Sequence, residues 1–219
     1  MSNILIIKLG SLGDIVQISG VLKDIRETHK SDKIYILTTP PYIDLLSRCP
    51  DIDGAIIDKR KPRWNFVYLL KLKKMVKKFN FSKVYDLQNS SRTDFYRKFL
   101  FNITDWSSAR IAMKKNIQKY DFDEDSVLER FKFQLLNSGV AVVNTLKPDF
   151  SWGCLNVDQI VNKYSGKKLV LILPFCSPSL SHKKWPYYNE LAKIIKSQHQ
   201  NLDIVVAPGP NEIDQAKEL

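Results

Sequence analysis

Short apolar runs alternate with amphipathic segments along most of this sequence. Residues 4–7 form a continuous apolar run that stops at Gly10, which predicts a buried strand followed by a tight loop. Over residues 15–25 the apolar positions recur at helical spacing, so a helix is expected there. The same alternation downstream predicts βαβ units, and hence an α/β fold with a parallel sheet and helices on both faces. The other strands predicted in this half are 34–37, 55–57 and 84–87.

One predicted helix combines an apolar stripe with many lysines. Over residues 64–79, apolar side chains that include Trp64, Val67 and Leu72 fall on one side of a helix, and five lysines lie elsewhere. A stripe facing the core with a solvated lysine face is the favoured interpretation, and contact with anionic lipid is the alternative. Further helices are predicted at 42–47, 93–101 and 126–137, the last ended by a C-cap at Gly139.

The pattern weakens over residues 140–164, which contain Pro148 and Gly153, so the domain linker is placed there. Beyond it a strand is predicted at 169–173, a helix at 187–197 and a strand at 204–207. We therefore expect one Rossmann-like domain over residues 1–150 and the start of a second over residues 165–219. Two strands and one helix cannot build a core of their own, so the second domain is expected to be incomplete.

Composition narrows the class of protein. With 44% hydrophobic and 26% charged residues, the chain is expected to be globular. The net charge of +11 favours anionic partners such as phosphates, nucleic acid or an acidic membrane. No helix-turn-helix, zinc-finger or RNP motif is present, so nucleic-acid binding is not predicted. The longest apolar run is too short to span a bilayer, so any membrane contact is expected to be peripheral.

The three cysteines give no sign of a metal site. Cys49, Cys154 and Cys176 stand far apart, with neither a CxxC spacing nor a second partner for a metal. A reducing, cytoplasmic location fits this usage best.

The loop after the first strand carries the first candidate chemistry. It places two glycines, Ser11 and Asp14 at the predicted start of a helix, where free backbone N–H groups suit an anion or a polar sugar. Asp14 has two interpretations. It can stabilise the first turn of the helix, or it can act as a general base at the carboxyl end of a parallel sheet, where such folds place their sites.

A second candidate loop follows the strand predicted at 169–173. Ser177 and Ser179 precede Lys183 and Lys184, and Pro186 is predicted at the first position of the next helix. Hydroxyl and ammonium groups in this order resemble a cradle for a diphosphate. An ordinary surface loop is the alternative.

Two more polar clusters end predicted strands. Lys59, Arg60, Lys61 and Arg63 place four positive charges within five residues, which indicates either a grip on an anionic acceptor or a solvated loop. Gln88 follows the strand at 84–87 and could contact substrate or cap the following helix.

Three segments, in this order, resemble one known family. The run 4–16, with its Ser-Leu-Gly-Asp loop, resembles the N-terminal signature of the heptosyltransferases of glycosyltransferase family 9. Asp-Leu-Gln at 86–88 is similar to the family's mid-domain strand end, and Lys-Lys-Trp-Pro at 183–186 is similar to its Lys-Arg-Trp-Pro segment. Three matches in the right order argue against coincidence.

The resemblance implies a GT-B architecture, in which an N-terminal Rossmann-like domain binds the acceptor and a C-terminal one binds the ADP-sugar. It implies that a heptose or related sugar moves from an ADP-heptose-type donor to lipid A-Kdo or core oligosaccharide of the lipopolysaccharide inner core, with inversion. No cofactor or metal would be required. The enzyme would act in the cytoplasm, in peripheral contact with the inner membrane.

By the same resemblance, Asp14 is the general base that deprotonates the acceptor hydroxyl. The residues expected to bind the acceptor are Ser11, Gly13, Lys59, Arg60, Lys61, Arg63 and Gln88. The residues expected to bind the donor are Ser177, Ser179, Lys183 and Lys184.

The sequence departs from the family pattern in two places. Pro174 is followed by Phe175 and Cys176, where the family has Pro-Gly-Ala-Ser, which puts close approach of the backbone to phosphate in question. The family's Asp-x-Gly-x-x-His segment is not found in these 219 residues. The alternative to a transferase is therefore an inactive remnant or an acceptor-binding module without a complete donor site, and binding of ADP-heptose distinguishes the two.

Overall fold

The computed structural model of the chain describes residues 1–115, 124–164, 168–176, 178–209 and 211–217. The chain forms two compact units, Met1–Cys154 and Leu155–Leu219. Among the residues that the structure describes, none of the helices could span a bilayer.

The first unit is built on a parallel sheet, as the sequence predicts. A fifth strand, which the sequence did not predict, joins the four predicted ones in the order β3-β2-β1-β4-β5, with β1 at the centre. Residues of β1 and β2 pair in register from Asn3 with Lys33 to Ile7 with Leu37. The strand order reverses between β1 and β4, since β2 and β3 lie on one side of β1 and β4 and β5 lie on the other. Folds of this class bind their ligands at the carboxyl ends of the strands beside such a switch point. The strands are β1 (Asn3–Ile7), β2 (Lys33–Thr38), β3 (Gly54–Ile57), β4 (Lys83–Asp86) and β5 (Asp105–Ser108).

Helices cover both faces of this sheet. Because successive side chains of β1 point to opposite faces, Ile4 and Ile6 join one buried cluster, while Leu5 and Ile7 join another. Each cluster is completed by helices that pack on its side of the sheet. The helices are α1 (Leu12–Gln17), α2 (Ser19–Thr28), α3 (Ile43–Leu46), α4 (Phe66–Lys77), α5 (Ser91–Phe95), α6 (Ala109–Lys115) and α7 (Val127–Leu136), with a π-helical turn at Tyr96–Leu100 and a 3-10 turn at Pro40–Tyr42.

The helix predicted over residues 15–25 is divided into two. α1 ends at Gln17, α2 begins at Ser19, and Ile18 lies at the junction. The Ser19 hydroxyl donates to the Val16 carbonyl oxygen over 2.8 Å. The apolar positions that predicted one helix are nevertheless all buried, so the division leaves the packed face as predicted.

The buried stripe predicted on the basic helix is partly wrong. α4 begins at Phe66, after the N-cap Asn65, and packs on the sheet through Leu69, Leu72 and Val76. Trp64 precedes the helix and is 77% exposed. Val67 lies two positions before Leu69, which puts it on the opposite side of a helix, and it is 66% exposed.

A buried carboxylate ties the stretch after α7 to α2. Asp24 is fully buried and accepts hydrogen bonds from the Asn144 N–H over 2.9 Å and from the Thr145 N–H and hydroxyl over 2.8 and 2.7 Å. Close packing accompanies these bonds, since a Cβ atom on Gly20 would lie 2.2 Å from the Asn144 carbonyl oxygen. Part of the stretch predicted as a linker therefore belongs to the first unit.

The second unit contains a parallel pair of strands. Residues of β6 and β7 pair from Lys168 with Leu202 to Ile172 with Val206. The helix between them begins at Tyr188, so Pro186 lies two residues before the helix, and its prediction as the first helical residue is wrong. The first hydrogen bond of this helix runs instead from the Leu191 N–H to the Tyr187 carbonyl oxygen. The elements are α8 (Asp158–Val161), β6 (Lys168–Ile172), α9 (Tyr188–Gln198), β7 (Leu202–Val206) and α10 (Ile213–Ala216), with 3-10 turns at Ser151–Gly153, Asn162–Tyr164 and Pro178–Lys183.

Replacing Asp24 by Asn tests the contact between Asp24 and the stretch after α7. The substitution places an amide N–H, which can only donate, against the N–H and hydroxyl donors of Asn144 and Thr145. We expect Asp24→Asn to lower the free energy of unfolding by about 2–4 kcal/mol in urea denaturation. Burial raises the pKa of Asp24, but the hydrogen bonds from Thr145 and Asn144 outweigh it and hold the pKa below its usual value. The stabilisation is thus complete at neutral pH and is lost as the pH falls through this lowered pKa, so the difference from wild type should shrink in acid. Lys23→Gln, on the exposed side of α2, is the control and should change stability by no more than about 0.5 kcal/mol.

Candidate functional site

Polar residues collect where the parallel strands of the first unit end. The loops after β1 and β4 meet directly, because the Leu9 N–H donates to Oε1 of Gln88 over 2.8 Å. The hydroxyl of Thr39, just after β2, donates to the Leu9 carbonyl oxygen over 3.1 Å. The carboxyl edge of the sheet thus holds the Lys8–Asp14 loop in a fixed position, as expected for the site of an open α/β sheet.

Asp14 lies in the first turn of α1 with both carboxylate oxygens in contact with protein groups. Its Oδ2 accepts hydrogen bonds from the Ser11 N–H over 2.6 Å and from the Ser11 hydroxyl over 3.0 Å. Its Oδ1 lies 3.3 Å from Nζ of Lys8. The first of these bonds is half of a capping box. Asp14 therefore does stabilise the first turn of α1, as one of its two interpretations predicts.

The side chain of Asp14 also remains accessible, with 37% of its surface exposed. A Cβ atom on Gly13 would meet nothing within 4 Å, so the space beside this part of the loop is open. Both Ser11 and Gly13 are exposed. An incoming hydroxyl can therefore approach the carboxylate, and the role of Asp14 as a base stays a prediction consistent with this geometry.

The surroundings of Asp14 favour its charged form. Partial burial raises the pKa of this carboxyl, but the Ser11 N–H and the Lys8 ammonium outweigh it and hold the pKa below its usual range. Asp14 is therefore ionised at neutral pH and able to accept a proton.

Lys8 is a residue that the sequence interpretation missed. It is 4% exposed, its Nζ donates to the Leu87 carbonyl oxygen over 3.2 Å, and it lies 5.5 Å from the centroid of the Phe131 ring. Burial lowers the pKa of Lys8, while Asp14 and then Asp86 oppose that shift. The sequence did contain a signal for this burial, because Lys8 directly follows a fully apolar run. At that position the backbone still pairs with the neighbouring strand, since the Lys8 N–H donates to the Leu37 carbonyl oxygen.

Asp86 ends β4 behind this ion pair. It is 3% exposed and accepts hydrogen bonds from the N–H groups of Gln88 and Asn89, each over 3.0 Å. Burial raises the pKa of Asp86 to about 6 against these bonds. Gln88, predicted to contact the acceptor, uses its side-chain oxygen to hold the Leu9 backbone, so the structure gives it a positioning contact within the site.

The basic loop after β3 is anchored by a fully buried carboxylate. Asp58 accepts hydrogen bonds from the hydroxyls of Tyr68 and Tyr96 over 2.7 and 2.6 Å and from the Arg60 N–H over 2.7 Å. Arg92 adds to the anchor, since its Nε lies 3.5 Å from Asp58 and its Nη2 donates to the Lys61 carbonyl oxygen over 2.8 Å. The backbone of the loop is thereby fixed.

The charged ends of this loop face solvent. Lys59, Arg60, Lys61 and Arg63 are all exposed. The Arg63 guanidinium lies 5.4 Å from the Phe95 ring and donates to the Ser91 hydroxyl over 3.0 Å. Exposed cations on a fixed backbone can bind an anion with little cost in ordering, which suits the predicted acceptor contact and does not by itself establish it.

The residues predicted to bind the donor lie after β6 in the second unit. Ser177 lies outside the described residues, as does the side chain of Ser179. Lys183 and Lys184 are exposed, and Nζ of Lys184 lies 5.3 Å from the Phe175 ring. Among the described residues, no group of three or more His, Cys, Asp or Glu side chains could hold a metal ion.

Comparison with solved structures connects this geometry to known proteins. The E. coli heptosyltransferase WaaC with ADP-2-deoxy-2-fluoro heptose is similar at a TM-score of 0.70 and 16% identity, over 99% of this chain and 72% of that one. The chain has the fold of this heptosyltransferase. The predicted α/β fold of GT-B type, with a second domain only partly present, is thereby confirmed.

Two further structures agree. E. coli ADP-heptose lps heptosyltransferase II is similar at a TM-score of 0.67 and 19% identity, over 100% of this chain and 67% of that one. The glycosyl transferase family 9 protein from Veillonella parvula DSM 2008 is similar at 0.68 and 15%, over 99% of this chain and 66% of that one. No protein-family model and no curated protein sequence matches the chain. At these identities the likeness establishes the fold, and the chemistry is argued from the site.

The Lys8–Asp14 ion pair can be tested by replacing Lys8 with Met, which removes the charge and keeps a long side chain. Because the ammonium lowers the pKa of Asp14 while burial raises it, the pKa of Asp14 should rise in Lys8→Met. The carboxyl-carbon chemical shift of Asp14 across a pH titration measures this change. Ser11→Ala keeps the backbone hydrogen bond and should raise the pKa less. An unchanged titration in Lys8→Met would show that the pair does not control the ionisation.

The anchoring of the basic loop makes a separate prediction. In Asp58→Asn the two tyrosine hydroxyls and Arg92 lose a buried charge, so the free energy of unfolding should fall by about 3 kcal/mol or more. Trypsin should also cleave faster after Lys59, Arg60 and Arg63 under native conditions, because the loop opens more often. Asp44→Asn, at an exposed position in α3, should change neither quantity. Equal cleavage rates in all three proteins would contradict the anchoring role.

Proposed function

We propose that this chain is a glycosyltransferase of the heptosyltransferase type, which moves a heptose or related sugar from an ADP-sugar to the inner core of lipopolysaccharide. The observation that carries the proposal is the ionised Asp14, accessible at the carboxyl edge of a sheet whose fold is that of a heptosyltransferase. Three solved structures with this fold are described as heptosyltransferases or a family 9 glycosyl transferase.

In the proposed reaction, Asp14 accepts the proton of the acceptor hydroxyl as that oxygen attacks the anomeric carbon. The bond from the anomeric carbon to the diphosphate oxygen breaks with its electron pair, ADP leaves, and the configuration inverts. Lys8 has a supporting part, because a buried ammonium beside Asp14 keeps the carboxylate ionised before the proton arrives.

The anionic groups of the substrates meet cations in both units. Lys59, Arg60, Lys61 and Arg63 suit the carboxylate and phosphate groups of a lipid A-Kdo or core oligosaccharide acceptor. In the second unit Lys183 and Lys184 suit the donor diphosphate and would balance the charge that develops on ADP as it leaves. Ser177 and Ser179 remain predicted partners of the same group. With lysine in this role, the reaction needs neither a cofactor nor a metal.

The donor assignment has support from the neighbours. WaaC was solved with ADP and with ADP-2-deoxy-2-fluoro heptose, so a nucleotide-sugar is the substrate class that this fold accommodates. We place the chain in the cytoplasm, where its cysteines, free within the described residues, would stay reduced.

The test is ADP release from ADP-heptose in the presence of Kdo-containing lipid A, comparing wild type with Asp14→Asn. Asn retains an oxygen to accept the Ser11 N–H, so the fold should persist by circular dichroism. Loss of a general base should lower kcat at least about 100-fold. Asp44→Asn is the matched control and should keep the wild-type rate. Retention of the full rate in Asp14→Asn would remove Asp14 from the reaction.

Titration calorimetry separates the transferase from the acceptor-binding module. A transferase binds ADP-heptose, and Lys183→Gln together with Lys184→Gln should weaken that binding. If the chain binds Kdo-containing lipid A, holds no ADP-heptose and releases no ADP, the acceptor-binding module is the correct alternative.

A further inference from the structure

An exposed apolar surface lies beside the basic loop of the first unit. We call it the Trp64 face, and its members are Trp64, Phe66, Val67, Leu70 and Phe99, between 65% and 77% exposed. Within the described part of Met1–Cys154, the only other large apolar side chains as exposed as these are Met1 and Val143. Isolated exposed apolar residues need no explanation, but a group of five on one surface marks a binding site.

The members of the Trp64 face are brought together by α4 and the turn after α5. Leu70 lies three residues after Val67 and four after Phe66 along α4, so these three side chains share one side of the helix. That side is opposite the buried one, which is formed by Leu69, Leu72 and Val76. Phe99 is connected to this segment through Phe95, whose ring centroid lies 5.4 Å from that of Phe99 and 5.4 Å from the guanidinium of Arg63, the residue before Trp64.

Positive charge surrounds this face. Lys71 and Lys74 follow Val67 and Leu70 by four residues on α4, so they border the apolar side chains, and both are exposed. Neither forms an ion pair with any residue that the structure describes. The charges of these two lysines are therefore available to an external partner.

The charge of the whole chain is concentrated in this region. Residues 59–85 contain ten Lys and Arg and no Asp or Glu, which leaves 24 Lys and Arg against 23 Asp and Glu in the rest of the chain. The net charge of +11 is thus almost entirely a property of the basic loop, α4 and the start of β4. A general excess of solvated lysine would not be distributed in this way.

We propose that the Trp64 face binds the surface of an anionic lipid bilayer. Tryptophan, phenylalanine and aliphatic side chains bordered by lysine are the composition of helices that lie in a membrane interface. The apolar side chains enter the boundary between headgroups and acyl chains, and Lys71 and Lys74 stay at the level of the lipid phosphates. Two copies of this chain would not pair here, because the contact would bring two strongly positive surfaces together.

The purpose of this membrane contact rests on the proposed function, but the contact itself does not. An acceptor that carries lipid chains stays in the bilayer, so an enzyme held there meets it at high local concentration. The basic loop directly precedes Trp64 in the chain, so the face also brings Lys59–Arg63 toward the anionic headgroup region. The binding itself is measured without donor or acceptor, and its result leaves the transfer reaction untouched.

The test is cosedimentation of the full chain with sucrose-loaded vesicles of phosphatidylethanolamine and phosphatidylglycerol. We expect binding to these vesicles, weaker binding as NaCl is added, and far weaker binding to phosphatidylcholine alone. Lys71→Gln together with Lys74→Gln should weaken binding to the anionic vesicles about tenfold or more. Equal binding to both kinds of vesicle, or no binding to either, would overturn the proposal.

A matched pair of double variants tests the location. Val67→Ser with Leu70→Ser should weaken binding about tenfold or more. Val143→Ser with Leu136→Ser changes the same residue types at similar exposure, 69% and 54%, and should bind as wild type does. Circular dichroism confirms that all of these proteins are folded. Equal loss in both double variants, or none in either, would contradict the assignment of the face.

Tryptophan fluorescence gives an independent measurement. Anionic vesicles should shift the emission of wild type to shorter wavelength, and most of that shift should be absent in Trp64→Phe. A shift that persists in Trp64→Phe would place the contact elsewhere on the chain. Binding to single-stranded polyuridylate in preference to vesicles would overturn the proposal in favour of a nucleic-acid surface.

Discussion

Lys8 lies at the end of the central strand with its ammonium group almost entirely removed from solvent. A charge in such a place must be paired and hydrogen-bonded, because its desolvation is otherwise uncompensated. Asp14 and the Leu87 carbonyl oxygen supply those partners, at 3.3 and 3.2 Å. The requirement to satisfy one buried cation therefore fixes the start of α1 against the end of β4, and it keeps the carboxylate that this arrangement exposes in its ionised form.

Buried carboxylates do similar work elsewhere in the first unit. Asp58 holds the basic loop, Asp24 holds the stretch after α7, and Asp86 holds the turn after β4. In each case the carboxylate accepts backbone N–H groups from a segment without regular structure, and so satisfies donors that no strand or helix pairs. The strands are short, and these carboxylates rather than extra strand length give the loops at the site their definite positions.

Most of the sheet could be predicted from the sequence because β1, β2 and β3 contain apolar runs and β4 contains the buried pair Val84 and Tyr85. β5 could not, since Asp105, Ser107 and Ser108 are polar and its burial depends on contacts from α7, including a hydrogen bond from Gln134 to the Ser107 carbonyl oxygen over 3.1 Å. The C-cap predicted at Gly139 is wrong, because α7 is capped by Asn137, two residues earlier, although Gly139 does adopt the φ of 75° that glycine tolerates after a helix. Lys8 was missed because burial is decided by the neighbouring strands, which a local pattern does not contain.

The position of the charge in the chain joins the two binding proposals. The basic loop and the apolar side of α4 lie next to each other in the chain but have opposite preferences in water. Hydration is favourable for the cations and unfavourable for the exposed aromatic rings. At an anionic bilayer both preferences are met, because headgroup phosphates pair with the cations while the rings leave water.

The same headgroup phosphates would compete with an anionic acceptor for the basic loop. The backbone contacts from Asp58 and Arg92 matter here, because they fix the loop in one arrangement. Under the proposed function, an acceptor with several anionic groups would contact several cations of this loop at once and would therefore outcompete lipids that each offer a single phosphate.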